Sequence, residues 1–136
     1  MAVLYTATVD SIGGREGTIK SADGALDMHT AKPVEMGGNG GAANPEMLFA
    51  AAYGACYGGA LQYVAERQGF TAPFEVQASV ALNLEGANMF LGVQLLVKSI
   101  GQDRTKVENI AKTAHNACPY SKAVKGNVEV TIMVEV

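Results

Sequence analysis

The chain has 136 residues, close to half of them apolar, a formal net charge of -3, two cysteines and no tryptophan. That is enough mass to bury a core as one globular domain over residues 1–136. The mild acidity, with no basic cluster and no aromatic-basic interleaving, leaves no footprint for a phosphate backbone, so nucleic acid is not expected as a partner. Met1-Ala2-Val3-Leu4-Tyr5-Thr6 alternates like a strand and lacks the basic start and long apolar run of a secretory signal. A cytoplasmic protein is expected, and in a reducing compartment two thiols point to redox chemistry rather than to a permanent staple.

In chain order, Leu4 to Ile12 alternates, and Gly17 to Ser21 and Leu26 to Thr30 are short strand-like runs separated by the turn pairs Gly13-Gly14 and Asp23-Gly24. These predict an N-terminal meander. Gly37-Gly38-Asn39-Gly40-Gly41-Ala42-Ala43 reads as a flexible connection, and it lacks the Lys-Ser/Thr ending of a phosphate-binding loop. Asn44 suits an N-cap and Pro45 a first helical position, which predicts a long helix running to about Gln68 and stopped by Gly69. Glu75 to Leu84 and Met89 to Ser99 read as a hairpin around Glu85-Gly86-Ala87-Asn88. A polar helix over Arg104 to Ala117 ends before Pro119, whose ring disfavours helical geometry at Cys118, and Val128 to Val136 closes as a strand. The order β-β-β-α-β-β-α-β places the chain in the α+β class.

Met47 to Ala65 carries no charge and includes Gly54, Gly58 and Gly59. A membrane span fits poorly, because the segment is rich in Ala and Gly rather than Leu and Ile, contains Gln62, and is flanked by strands. A buried central helix fits better. A helix apolar all round needs cover on every side, and one small sheet covers about half of it, so a second subunit is expected on the remaining face.

Cys56 lies within this helix, and Cys118 opens Cys118-Pro119-Tyr120-Ser121. Two cysteines in distinctive contexts suggest a nucleophile and its resolver, although a lone buried cysteine is commonly a small apolar filler. A thiol of ordinary pKa is only a few per cent ionised at neutral pH, so a nearby cation would raise its reactivity. No Lys or Arg surrounds Cys56 in the sequence, and Arg15, at the Gly13-Gly14-Arg15-Glu16-Gly17 turn, is the cation best suited to reach it while holding a carboxylate bidentately. Glu46 is that carboxylate, or else a first-turn acid that favours the helix dipole. In a continuous helix Glu46 and Cys56 lie about 15 Å apart along the axis. A shared site then needs Glu46 from a second subunit or a break in the helix.

Tyr5-Thr6-Ala7, Gly13-Gly14-Arg15, Asp23-Gly24, Gly37-Gly38, Asn44-Pro45-Glu46, Leu48-Phe49-Ala50-Ala51, Ala55-Cys56, Cys118-Pro119-Tyr120-Ser121 and Gly126-Asn127 together make the chain resemble the organic hydroperoxide resistance proteins of the osmotically inducible protein C (OsmC) superfamily. The resemblance implies an OsmC-like fold, an intertwined homodimer with its sites at the interface, and a thiol peroxidase acting on fatty-acid and other organic hydroperoxides. It implies that Cys56 is the peroxidatic cysteine, Cys118 the resolving cysteine, and Arg15 with Glu46 the pair that orients the thiolate. It also implies that no cofactor is bound and that an external dithiol, dihydrolipoamide or a lipoylated protein, recycles the enzyme. Met47, Tyr57, Lys122 and Lys125 depart from the family pattern, which bears on substrate preference rather than reaction type. Met36, Met47, Phe49, Tyr57 and Tyr120 are the residues that would line a pocket for an alkyl hydroperoxide.

Other readings compete. The domain could carry a hydrophobic ligand with Cys56 inert, or act as a redox sensor whose disulfide switch targets another protein. The sister branch of the superfamily is disfavoured by Gly13-Gly14-Arg15 together with Cys118-Pro119-Tyr120-Ser121. His115 and Cys118 have helical ligand spacing for zinc, but only His29, Cys56 and carboxylates remain to complete a site, and no second ligand pair exists. His115 reads instead as a surface residue near a helix C-terminus, where its cationic form is favoured.

Overall fold

The computed structural model describes residues Met1–Val136 and divides into two compact units, Met1–Leu48 and Phe49–Val136. In the first, β1 (Val9–Ile12), β2 (Thr18–Ser21) and β3 (Asp27–His29) form an antiparallel meander in which Val9 faces Ser21 and Thr18 faces His29. The meander is the one expected, but β1 begins at Val9 rather than Leu4, because residues 4–8 have no neighbouring strand in the chain. The glycine-rich segment after a 3-10 turn (Val34–Met36) is ordered by hydrogen bonds rather than loose. The backbone N–H groups of Gly38 and Gly40 donate to the carbonyls of Pro33 and Lys32, and Ala31 donates to Ala43.

Helix α1 (Pro45–Arg67) starts where the sequence places it. The Asn44 side-chain oxygen accepts from the Met47 N–H at 2.9 Å, and Pro45, which has no N–H to satisfy, takes the first helical position. At the other end Gly69 adopts φ +68°, and the N–H groups of Gly69 and Phe70 donate to the carbonyls of Glu66 and Ala65. This is the paired Schellman arrangement that satisfies the last orphan carbonyls. The helix is unbroken, and no helix of the chain is long and apolar enough to cross a membrane.

The second unit is built on a sheet of order β4-β5-β6. Strands β4 (Glu75–Glu85) and β5 (Asn88–Lys98) form the expected hairpin, closed by a two-residue turn with Gly86 at φ +61°. Strand β6 (Glu129–Glu135) runs parallel to β5, which requires a long crossover. The crossover consists of α2 (Arg104–Ala117) and a second short helix, α3 (Pro119–Val124). The sequence reading missed α3, having taken Pro119 only as a stop. Pro119 stops α2 and also opens α3 at the position where proline is tolerated.

The core lies between this sheet and the helices. Val93, Leu95 and Val97 point to it from alternate positions of β5, Tyr53, Tyr57, Leu61 and Val64 from α1, and Val107, Ile110, Ala111 and Ala114 from α2. Alternation puts Val130, Ile132 and Val134 of β6 on the same inner face, with exposed residues between them.

Candidate active site

Arg15 sits on the turn between β1 and β2. Gly13 and Gly14 there have φ of +81° and +60°, values at which L side chains are strained, and a Cβ on Gly17 would collide with the Ile12 carbonyl. Buried Thr30 clamps the turn: its hydroxyl donates to the Gly14 carbonyl and accepts from the Gly17 N–H, each at 2.9 Å. So held, the guanidinium meets Glu46 in a fork, Nη1 to Oε2 at 3.0 Å and Nη2 to Oε1 at 2.6 Å. The side chains of Arg15 and Glu46 are 30% and 15% exposed. Hydrogen bonding to Arg15 holds the Glu46 carboxyl below the usual carboxylate range, against the opposing effect of burial, and the same bond raises Arg15. The Sδ atom of Met36 lies 3.9 Å from Arg15 Nη1. The pairing expected from sequence therefore forms, and one arm of the guanidinium already faces a sulfur.

Cys56 and Cys118 form a separate cluster in the second unit. Their Sγ atoms are 3.6 Å apart and both are free thiols. Cys118 occupies the joint between α2 and α3, where it is C-cap to one and N-cap to the other with extended φ and ψ of -63° and 123°. Its N–H donates to the Ala114 carbonyl and its carbonyl accepts from the Lys122 N–H. The thiol caps nothing and is turned to Cys56. Burial pushes the Cys56 thiol up, the Tyr120 backbone N–H pulls it down, and the adjacent Cys118 sulfur adds to the rise. A lowered value was expected from sequence. Within its own unit the balance of these effects raises the Cys56 pKa.

The unbroken α1 leaves Glu46 and Cys56 ten residues, or about 15 Å, apart along the helix axis. Of the pocket residues expected from sequence, Met36 and Met47 are exposed, Phe49 is half-buried and stacks on Tyr53 at 6.2 Å, and Tyr120 is exposed and meets Tyr53 edge-on at 6.0 Å. Tyr57 is a core residue instead: it is fully buried, and its hydroxyl donates to the Ala111 carbonyl at 2.7 Å. His115 is also unlike its expectation. It is half-buried, with Nδ1 2.8 Å from the Ser121 hydroxyl, and burial first and Lys125 second lower its pKa. Ser121 in turn lies 2.7 Å from the Tyr53 hydroxyl. Sequence reasoning assigned no role to this chain of side chains. Its one available signal was a tyrosine three residues before Cys56 and a serine three after Cys118. No group of three or more His, Cys, Asp or Glu side chains is gathered as a metal site.

Comparison with known proteins bears on the family and the fold. The family model described as OsmC-like protein matches residues 38–133. Organic hydroperoxide resistance protein OhrA of Bacillus subtilis is 44% identical over 96% of this chain and 96% of its own length. Among solved structures, an organic hydroperoxide resistance protein from Legionella pneumophila superposes with a TM-score of 0.93 at 39% identity, covering 99% of this chain and 100% of that one. Another, a putative organic hydroperoxide resistance protein from Vibrio cholerae with captopril bound in one of its active sites, gives a TM-score of 0.92 at 34% identity over 98% and 94% of the two chains. The fold, the paired thiols and the full-length likenesses converge: the chain belongs to the OsmC-like family, among the organic hydroperoxide resistance proteins.

Proposed function

We propose that the protein is a two-cysteine peroxidase that reduces organic hydroperoxides to alcohols. The observation that carries this reading is the 3.6 Å approach of Cys118 Sγ to Cys56 Sγ. Only a small further movement brings the sulfurs to the roughly 2.05 Å of a disulfide. The Cys56 thiolate attacks the terminal peroxide oxygen, the O–O bond breaks, an alcohol leaves, and Cys56 becomes a sulfenic acid. Cys118 then condenses with it to form the disulfide and water. An external dithiol, of the dihydrolipoamide or lipoylated-protein class, returns the pair to thiols by exchange.

The nucleophile is activated in trans. Burial raises Cys56 within its own unit, and α1 holds the Glu46 of the same chain far along the helix, so the Arg15–Glu46 fork of a second copy supplies the cation in a homodimer. Exposed apolar side chains at Leu4, Ile12, Leu84 and Met89 favour such an assembly. Apolar Met36 and Met47 of the first unit, and Phe49 and Tyr120 of the second, are the residues available to receive an alkyl chain.

The test is turnover of cumene or fatty-acid hydroperoxide against hydrogen peroxide, with dihydrolipoamide as reductant. Wild type is expected to prefer the organic peroxides, Cys56→Ser to be inactive, and Cys118→Ser to stop after one equivalent. Arg15→Ala and Cys56→Ser, each inactive alone, should regain activity when refolded together, because a hybrid dimer holds one intact site. No organic-peroxide turnover in the folded, reduced wild type would discard the reading, and failure of the mixture to recover would discard activation in trans.

A further inference from the structure

Three helices meet around the thiol pair, and the hydrogen bonds that join them are placed on either side of it. On α1, Tyr53 lies one turn before Cys56 and Tyr57 immediately after it. The Tyr57 hydroxyl is bonded to the α2 backbone at Ala111, and the Tyr53 hydroxyl to Ser121 of α3. Ser121 in turn reaches His115 of α2. His115 precedes the Cys118 joint by three residues and Ser121 follows it by three, so the Ser121–His115 bond closes across the joint and the Tyr53 bond ties that closed joint to the helix of Cys56.

Tyr53 and Ser121 are almost wholly buried. A phenylalanine would serve the packing at position 53 equally well, whereas a buried hydroxyl without a partner is costly, so the polar atoms matter for where they hold the backbone. Burial and Lys125 favour the neutral form of His115, whose ring carries one donor and one acceptor nitrogen, so the Ser121 hydroxyl bridges Nδ1 and the Tyr53 hydroxyl with a proton available for each contact. No buried side-chain polar atom is left unpaired.

We propose that Tyr53, Ser121 and His115 are positioning residues for disulfide closure, a hydrogen-bond chain that locks the α2–α3 joint against α1 so that Cys118 Sγ stays within reach of Cys56. The proposal rests on the peroxidase reading for its physiological step. In that step Cys118 Sγ attacks the Cys56 sulfenic sulfur, an S–S bond forms and the S–O bond breaks. The Cys118 proton leaves with the hydroxyl as water; the Cys118 sulfur is oxidised and the sulfenic sulfur reduced. None of the three residues takes part in the earlier attack on peroxide.

Two measurements on Ser121→Ala and Tyr53→Phe separate this role from the peroxidase reading. The first is the equilibrium constant for the Cys56–Cys118 disulfide against reduced and oxidised glutathione, which requires no peroxide; it should fall about tenfold in both variants. The second is single-turnover kinetics with cumene hydroperoxide. There, sulfenic acid formation, trapped with a diketone probe, should keep its wild-type rate while disulfide closure slows about tenfold. At the less buried end, His115→Ala should behave like Ser121→Ala, and His115→Asn, whose amide offers an acceptor or a donor in the place of Nδ1, should restore both quantities. Wild-type equilibrium and closure in Ser121→Ala and His115→Ala would overturn the proposal, as would equal slowing of both kinetic steps. If wild type forms no sulfenic acid at all, the peroxidase reading fails, and the glutathione equilibrium still decides the positioning role.

Discussion

At the scale of single residues, the Arg15–Glu46 fork is a charged pair whose contribution to stability depends on pH. Hydrogen bonds to Arg15 favour the charged Glu46 carboxylate, so its folded pKa lies below that of the unfolded chain. The stabilisation is therefore complete above the unfolded carboxyl value of about 4 and is lost as pH falls through the lower folded value. Because both groups keep some contact with water, the pair contributes modestly, about 1 kcal/mol. Glu46→Gln should lower the unfolding free energy read from urea titration at neutral pH by that amount, with the gap to wild type closing in acid; a gap independent of pH would show that the ion pair adds nothing. The same fork leaves Arg15 oriented but not spent, since a guanidinium carries five donors and two of them serve Glu46.

Among the elements, α1 was the most legible. Asn44-Pro45 at its start and Gly69 after its end are local chemical signals that need no tertiary information, and the helix forms between them. Gly69 stands at φ +68° with open space where a Cβ would go. Gly69→Ala should therefore destabilise through backbone strain alone, by about 1 kcal/mol, read as a lower thermal midpoint with no change in peroxide turnover. A loss of turnover out of proportion to stability would mean that the cap also sets the thiol geometry. The hairpin β4–β5 was equally readable, from a two-residue turn between alternating runs. What escaped was the joint at Cys118. Pro119 marks the end of one helix and the first turn of another with equal propriety, and only packing decides whether a second helix follows. The parallel pairing of β6 to β5 was hidden for a related reason, since it joins residues brought together by the whole crossover.

For the whole molecule, the two thiols and the Arg15–Glu46 pair could be named from residue types and a family resemblance, yet their spatial relation could not. Cys56 and Cys118 are 62 positions apart, and no spacing rule spans such a separation. His115 was misread as an exposed cation because its helix-end position was visible and its buried partner, Ser121, was not. Leu4 and Ile12, exposed at 97% and 71%, conversely mark where the N-terminal unit carries apolar side chains that its own small sheet does not cover. The long separation of the thiols has a consequence for endurance. Closing the disulfide ties a loop of 62 positions, which in chain-entropy terms removes up to about 4 kcal/mol worth of freedom from the unfolded chain. Peroxide-treated protein should accordingly melt on the order of 10 °C higher than the dithiothreitol-reduced form, a difference absent in Cys118→Ser. Oxidative stress would then leave each spent molecule temporarily harder to unfold, and hence harder for a protease to take, until a reductant reaches it.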